Sequence, residues 1–257
     1  MKNPLFVRDF EGYLRKRFVT HLFISDLHLS PEHPRLIRGF LALLNEYQDK
    51  NTDLYILGDW FNAWIGDDDQ APWLDEIVSA LKKFTSNQNH VYFLVGNRDF
   101  ALGQKFLQQF NGQLLKEIDH LQLNNMNIRI EHGDLLCTDD VSYQRFRKII
   151  RQPFILGTLK ALPLALRQKI ANGFRSKSKA SKQVKSYDVM DVNQLAVETA
   201  MKTCDILIHG HTHRPEIHQI NDKKRIVLGD WRESTAQILE ISPETQIQNL
   251  QLKTWNY

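Results

Sequence analysis

Five short stretches of the sequence close an apolar run with a residue able to bind a metal ion. "LFISDLH" carries Asp26 and His28, "LYILGDW" Asp59, "FLVGNRD" Asn97, "IRIEHGD" His132, and "ILIHGHTH" His211 and His213. Each has a bland reading when taken alone. A single Asp after Gly is usually a turn residue or a helix N-cap, a single Asn a turn former, and a single His after a strand a hydrogen-bonded surface residue. That surface reading is the expectation for His209, His90 and His120. Five such endings in one chain make a different case, because side chains from neighbouring strands converge at the strand ends of α/β sheets. Two divalent cations held about 3.5–4 Å apart need a bridging anion, with neutral imidazole or amide oxygen filling the other positions. Asp59 is the natural bridge. Asp26, His28 and His213 would complete one ion, and Asn97, His132 and His211 the other. Such a pair lowers the pKa of water towards neutrality, so no Ser or Cys nucleophile is required.

These side chains need a scaffold, and the first half of the chain supplies the alternation of an α/β fold. "HLFI", "LYIL" and "VYFLV" read as buried strands. Between the first two, Leu36, Ile37, Phe40, Leu41, Leu44 and Tyr47 recur at three and four, an amphipathic helix after Pro34. A second helix is expected from Pro72 through Phe84, and a third over Gln104 to Phe110. "LQLNNMNIRI" carries an Asn-Asn turn between two runs and predicts a hairpin. Further on, Val189 to Lys202 returns to helix period, and "DILI", "RIVLGD" and "AQILEI" read as strands.

The 257 residues suit one large domain over 1–257, with ordinary globular composition. No stretch reaches about 18 consecutive apolar residues, the N-terminus lacks a secretory pattern, and Cys137 and Cys204 give no disulfide framework. A cytoplasmic setting is the expectation. The formal charge of +3 hides an uneven distribution: residues 141–187 hold twelve of the 33 basic residues and no acid, leaving 21 basic against 30 acidic residues elsewhere. This segment, broken by Pro153, Gly157, Pro163 and Gly173, reads as a helical insertion. Its aliphatic core "PFILGTLKALPLAL" is too short to span a bilayer but able to lie in an interface or line an acyl pocket. Cations around it suit a diphosphate and anionic lipid, although charge runs are commonly just solvated.

The pattern D-x-H, G-D, G-N, H-G, G-H-x-H resembles that of the calcineurin-like metallophosphoesterases, with Arg98 where the general family has His after the Asn. More closely, "WIGDDD", "GNRDFALG", "HGDLLCTDD" and "IHGHTHRP" are similar to the UDP-2,3-diacylglucosamine hydrolase branch, over roughly His21 to Trp231. The resemblance implies a four-layer α/β/β/α sandwich with a helical cap, two Mn²⁺ ions, and water attack on the α-phosphorus of UDP-2,3-diacylglucosamine to give UMP and the lipid 1-phosphate of lipid A biosynthesis. It implies a peripheral protein at the cytoplasmic face of the inner membrane, whose partner is the lipid substrate and not nucleic acid. Substrate contacts would come from Asn97, Arg98, Asp140, Ser178, Lys182, Lys185 and His211, with Lys182 standing where the family has Asn. Nothing in the sequence sets an oligomeric state.

Arg98 fits that chemistry on its own terms. A guanidinium cannot release a proton at accessible pH, but a departing phosphate, whose second pKa is about 6, needs no proton donor. A planar fork suits phosphate oxygens. Other readings of the same ligands are a dinucleoside polyphosphate hydrolase, a cyclic phosphodiesterase, a nuclease, and a non-catalytic scaffold. Aliphatic residues outnumber aromatics in the basic segment, which favours acyl chains over bases, and all seven ligand positions are filled, which disfavours the scaffold.

Overall fold

The computed structural model describes residues 6–8, 14–16, 18–69, 71–173 and 191–257. Two sheets form the centre. The first, of six strands, has the order β13-β12-β3-β4-β5-β6, with β3 (Thr20–Ile24), β4 (Thr52–Leu57), β5 (His90–Leu94) and β6 (Gln113–Leu114) parallel. Strands β12 (Thr235–Ile241) and β13 (Leu252–Asn256) extend it antiparallel. The second has the order β10-β11-β9-β8-β7, with β7 (Ile118–Leu123), β8 (Met126–Glu131), β9 (Ile206–His209), β10 (Glu216–Ile220) and β11 (Lys223–Val227). A separate antiparallel pair, β1 (Phe6–Arg8) with β2 (Leu14–Lys16), precedes them.

Strand parity decides the layers, because successive side chains face opposite ways. Leu22, Leu54, Ile56, Val91 and Phe93 pack outward with Phe40, Leu44, Ile77 and Leu81 of helices α1 (Pro34–Tyr47) and α2 (Leu74–Ser86). Their neighbours Phe23, Tyr55, Leu57 and Leu94 face inward and meet Ile128, Ile130, Ile206 and Ile208 of the second sheet. On that sheet's far side, Leu207 packs with Val197, Ala200 and Met201 of a last helix, Gln194–Met201. The order is therefore α/β/β/α, as expected. Each fully buried aliphatic or aromatic side chain contributes about 1.5–3 kcal/mol, so strands packed on both faces, with β4 and β9 buried at every position, are firmly held.

Most expected elements are present, with shifted ends; the helix expected over Gln104 to Phe110 is one short α-helix, α3 (Gln104–Leu107), continued by a 3-10 turn at Gln108–Phe110. Asp75 and Glu76 in the first turn of α2 complement the helix dipole. Pro72 lies before that helix: the Ala71 and Pro72 carbonyls accept from the amides of Leu74 and Asp75, a tight turn that precedes the first α-helical turn. The helix expected from Val189 starts at Gln194, with the Asn193 side chain capping the Ala196 amide at 3.1 Å. The Asn124–Asn125 hairpin has φ of 48° and 62°, the mirror-image turn that matches strand twist. The basic segment begins with α4 (Val141–Ile150) and α5 (Pro153–Ala161), continues as helix α6 over 164–173, and leads to the last helix, α7. No helix among the described residues is long and apolar enough to cross a membrane.

Candidate metal centre

The loops leaving β3, β4, β5, β8 and β9 all emerge at one edge of the two sheets and carry the seven expected ligands. They run side by side as continuations of the ladder: the amides of Asp26 and His28 donate to the carbonyls of Gly58 and Asp59, and the Gly210 amide donates to the His132 carbonyl at 2.9 Å. Asp26, His28, Asp59, His211 and His213 all have φ between 50° and 72°. Left-handed backbone at a non-glycine residue costs of order 1–3 kcal/mol and clusters at functional sites. Among the described residues, five such positions around one point are the strongest backbone sign of function. Gly96 is required by close approach, since a Cβ there would collide with the Asp59 amide nitrogen and carboxylate.

Two ligand groups result. His28 Nε2 and His213 Nε2 face each other at 3.3 Å, and His213 Nε2 lies 3.3 Å from Asp26 Oδ1. His132 Nε2 lies 3.0 Å from Asn97 Oδ1, 3.2 Å from His211 Nδ1 and 3.6 Å from Asp59 Oδ1. Donor atoms of Asp26, His28 and His213 gather closely enough for one ion, and so do those of Asp26, Asp59 and His132. Asp26 thus reaches into both groups, whereas Asp59 is the sole shared carboxylate expected from the sequence. The residues fit a cation by a direct test: Asp26 Oδ1 and His28 Nδ1 are buried with no hydrogen-bond partner, which is costly unless something charged takes them up.

Protonation follows the same geometry. Burial lowers the pKa of His28, and lowers that of His211 to about 4, leaving both imidazoles neutral and able to ligate. Burial opposes the charged form of His132 as well, but Asp59, Asp26 and Asp134 outweigh it and raise its pKa. His213 is raised in the same way by Asp26. For Asp26, burial favours the neutral form, but the imidazole of His213 close to Oδ1 and the charges of His132 and His213 hold it well below the usual carboxylate range.

Arg98 stands beside this centre. Its amide donates to Asp59 Oδ1 at 2.8 Å, its Nε lies 3.8 Å from Asp59 Oδ2, and its Nη1 donates to Asn62 Oδ1 at 3.3 Å, with the side chain 30% exposed. Asp140 caps α4, accepting from the Tyr143 amide at 3.0 Å. Ser178, Lys182 and Lys185 lie outside the described residues. His209 departs from the surface role expected of it: it is fully buried, with its pKa pushed by burial down to about 3, and packs against Gly133.

Two buried carboxylates next to the ligands carry no role in the sequence reading. Asp99 accepts from the amides of Trp60 (2.7 Å), Gly96 (2.8 Å) and Asp59 (3.3 Å), tying the β4 and β5 loops together. Burial, then the charge of Asp59, pushes its pKa up to about 7. Asp134, two residues after His132, accepts from Tyr143 and from Arg147 Nε at 2.8 Å. The local signal was present, an acid closing "GNRD" and another closing "HGD", but burial is a tertiary property.

The sequence matches the calcineurin-like phosphoesterase profile over residues 20–215, and the chain belongs to that family. It is a divalent-metal site of that class that the strand ends build. Over most of its length the chain is similar to curated UDP-2,3-diacylglucosamine hydrolases. That of Serratia proteamaculans is 47% identical over 216 residues, 82% of this chain and 90% of the relative. That of Haemophilus ducreyi is 44% identical over 227 residues, 87% and 96% of the two chains. The Vibrio parahaemolyticus relative is 40% identical over 242 residues, 92% of this chain and all of its own length.

Proposed function

We propose that this metal-dependent hydrolase cleaves the diphosphate of UDP-2,3-diacylglucosamine, in lipid A biosynthesis, using two Mn²⁺ ions. The observation that carries the reading is Arg98 against Asp59, at the rim of two overlapping ligand groups. When bound, a divalent pair supplies Lewis acidity towards phosphoryl oxygens and lowers the proton affinity of water. Asp26, Asp59, His28 and His213 would hold one ion, and Asp59, Asn97, His132 and His211 the other. Arg98 orients the diphosphate and offsets charge that builds up on its oxygens, without giving a proton. Water forms the new bond to the α-phosphorus. The bond to the bridging oxygen breaks, releasing UMP and the 1-phosphate of the diacylated glucosamine.

Residues 141–187 act as a cap on the single domain 1–257, with Asp140, Ser178, Lys182 and Lys185 reaching the substrate beside Asn97 and His211. Peripheral contact with the cytoplasmic face of the inner membrane is part of this proposal. Its support is that α5 buries none of its residues and that Phe154 is 85% exposed. The test is to incubate purified protein with Mn²⁺ and UDP-diacylglucosamine, or with a dinucleoside polyphosphate, and identify the products by mass spectrometry. UMP and the lipid 1-phosphate are expected. Cleavage of the dinucleoside polyphosphate alone would overturn the reading.

A further inference from the structure

Helix α4 opens the basic segment, and three of its side chains, Tyr143, Gln144 and Arg147, together with Arg151 at its C-terminal cap, grip the ligand-bearing loops instead of facing solvent. Gln144 Nε2 donates to the carbonyls of Asp134 (2.7 Å) and Cys137 (2.9 Å). Arg147 donates from Nε to Asp134 Oδ2 and from Nη2 to Glu117 Oε2, both at 2.8 Å. Arg151 donates from Nη1 to Glu117 Oε1, and from Nη2 to the Gly96 carbonyl at 2.7 Å and to Asp134 Oδ2 at 3.4 Å. Gly96 immediately precedes Asn97, and Asp134 follows His132 by two residues. Two of the three loops of the Asn97–His132–His211 group, those of Asn97 and His132, are therefore held from one helix end to end, while none of these bonds touches the loops of Asp26 and His28 or of His211 and His213. Tyr143 also stacks near His211, ring centroids 6.3 Å apart.

We propose that Arg147 and Arg151 are positioning residues for the metal subsite of Asn97, His132 and His211, so that the first helix of the cap belongs to the metal centre and the substrate-facing part begins beyond Arg151. The physical basis is that outer partners set the orientation of ligands, and that their loss typically weakens metal binding about 10–100-fold. Arg151 is the sharper probe, because removing it leaves Asp134 paired with Arg147 and Tyr143, so no buried carboxylate is stranded.

The clamp rests on the dinuclear reading above and is tested with Mn²⁺ alone. Metal-free chain is titrated while free Mn²⁺ is followed by electron paramagnetic resonance, for wild type, Arg151→Met, Arg151→Lys and the control Arg145→Met, an equal charge loss at an exposed position of the same helix. Arg151→Met is expected to hold one ion as wild type does and the second at least about tenfold more weakly. Arg151→Lys recovers part of that, and Arg145→Met matches wild type. Arg151→Lys, which keeps the charge but not the fork, decides the matter should Arg151→Met fail to fold by circular dichroism. Wild-type affinity for both ions in the Arg151 variants, equal weakening of both, or the same loss in Arg145→Met overturns the clamp. A wild-type chain that holds a single ion overturns both readings. One that holds two ions yet leaves UDP-diacylglucosamine intact overturns the substrate and leaves the clamp standing.

Discussion

The metal centre and the basic segment are both polar regions, and they handle charge in opposite ways. At the centre, few residues per strand contribute, one or two at each of five strand ends, yet within each ligand group the donor atoms lie within 4.8 Å of one another, and five of the residues have left-handed backbone. The basic segment carries twelve cations in sequence, and those among the described residues do not all face the same way. Arg147, Arg151 and Arg167 turn inward against Asp134, Glu117 and Asp68, while Arg145, Lys148 and Lys169 are exposed. Arg167 donates to the Ile65 carbonyl at 2.7 Å and pairs with Asp68, pinning α6 to the "WIGDDD" loop. Convergence of a few groups makes chemistry, whereas density along the chain does not say which way a charge faces.

The largest effect is expected at Asp59. Asp59→Ala should abolish UMP release and leave fewer than two ions per chain by elemental analysis. Asp26→Ala should be as severe, because Asp26 belongs to both ligand groups; near-normal turnover with two bound ions in either variant would break the convergent half of the comparison. Next comes Arg98→Ala, expected to cost about 10²–10³ in turnover, as for loss of one electrostatic stabiliser. Arg98→Lys should restore part of it, since a point charge cannot reproduce the fork.

His209→Ala should separate packing from ligation. A fully buried side chain is lost, so the urea midpoint should drop, by about 1–3 kcal/mol of stability, while both ions stay bound. Equal metal loss in His209→Ala and His211→Ala would mean that the alternation in "HGHTH" does not divide ligand from core.

Arg167→Met tests the inward half of the basic segment, with a rise in KM for the lipid substrate expected and little change in kcat. Its hydrogen bond holds the Asp68 carboxyl below the ordinary value of 3.8. The contribution of that pair is therefore present above pH 4 and is lost as pH falls through the depressed value, so the variant should differ from wild type equally at pH 6 and pH 8. The smallest effect on chemistry is expected from Arg145→Glu, Lys148→Glu and Lys169→Glu together. They should weaken association with anionic vesicles at low salt, by about 1 kcal/mol per cation near the surface, and leave metal binding unchanged. Unchanged sedimentation with vesicles at low salt would remove the membrane role of the outward cations.

How far the sequence reached depended on how local each feature is. A buried strand and the ligand that ends it lie within about seven residues, so "LYILGD" states both at once, and parity along β3, β4 and β5 follows from apolar residues that need burial on two faces. The α/β alternation and the strand-end placement of the seven expected ligand residues were legible for that reason, whereas the α/β/β/α order came only through the family resemblance. Strands β10 ("EIHQI") and β13 ("LKTWN") sit at sheet edges with half their residues outward, so they carry no apolar run to announce them. Residues on different faces of α4 look alike in composition. Only tertiary packing placed Arg147 against Asp134 and left Arg145 outside, buried His209 while bringing His211 to His132, and gave Asp26 a share in both ligand groups. Those outcomes depend on which segment, tens of residues away, lies across from each side chain, and burial makes such partners matter because an unpaired polar group has no water to turn to.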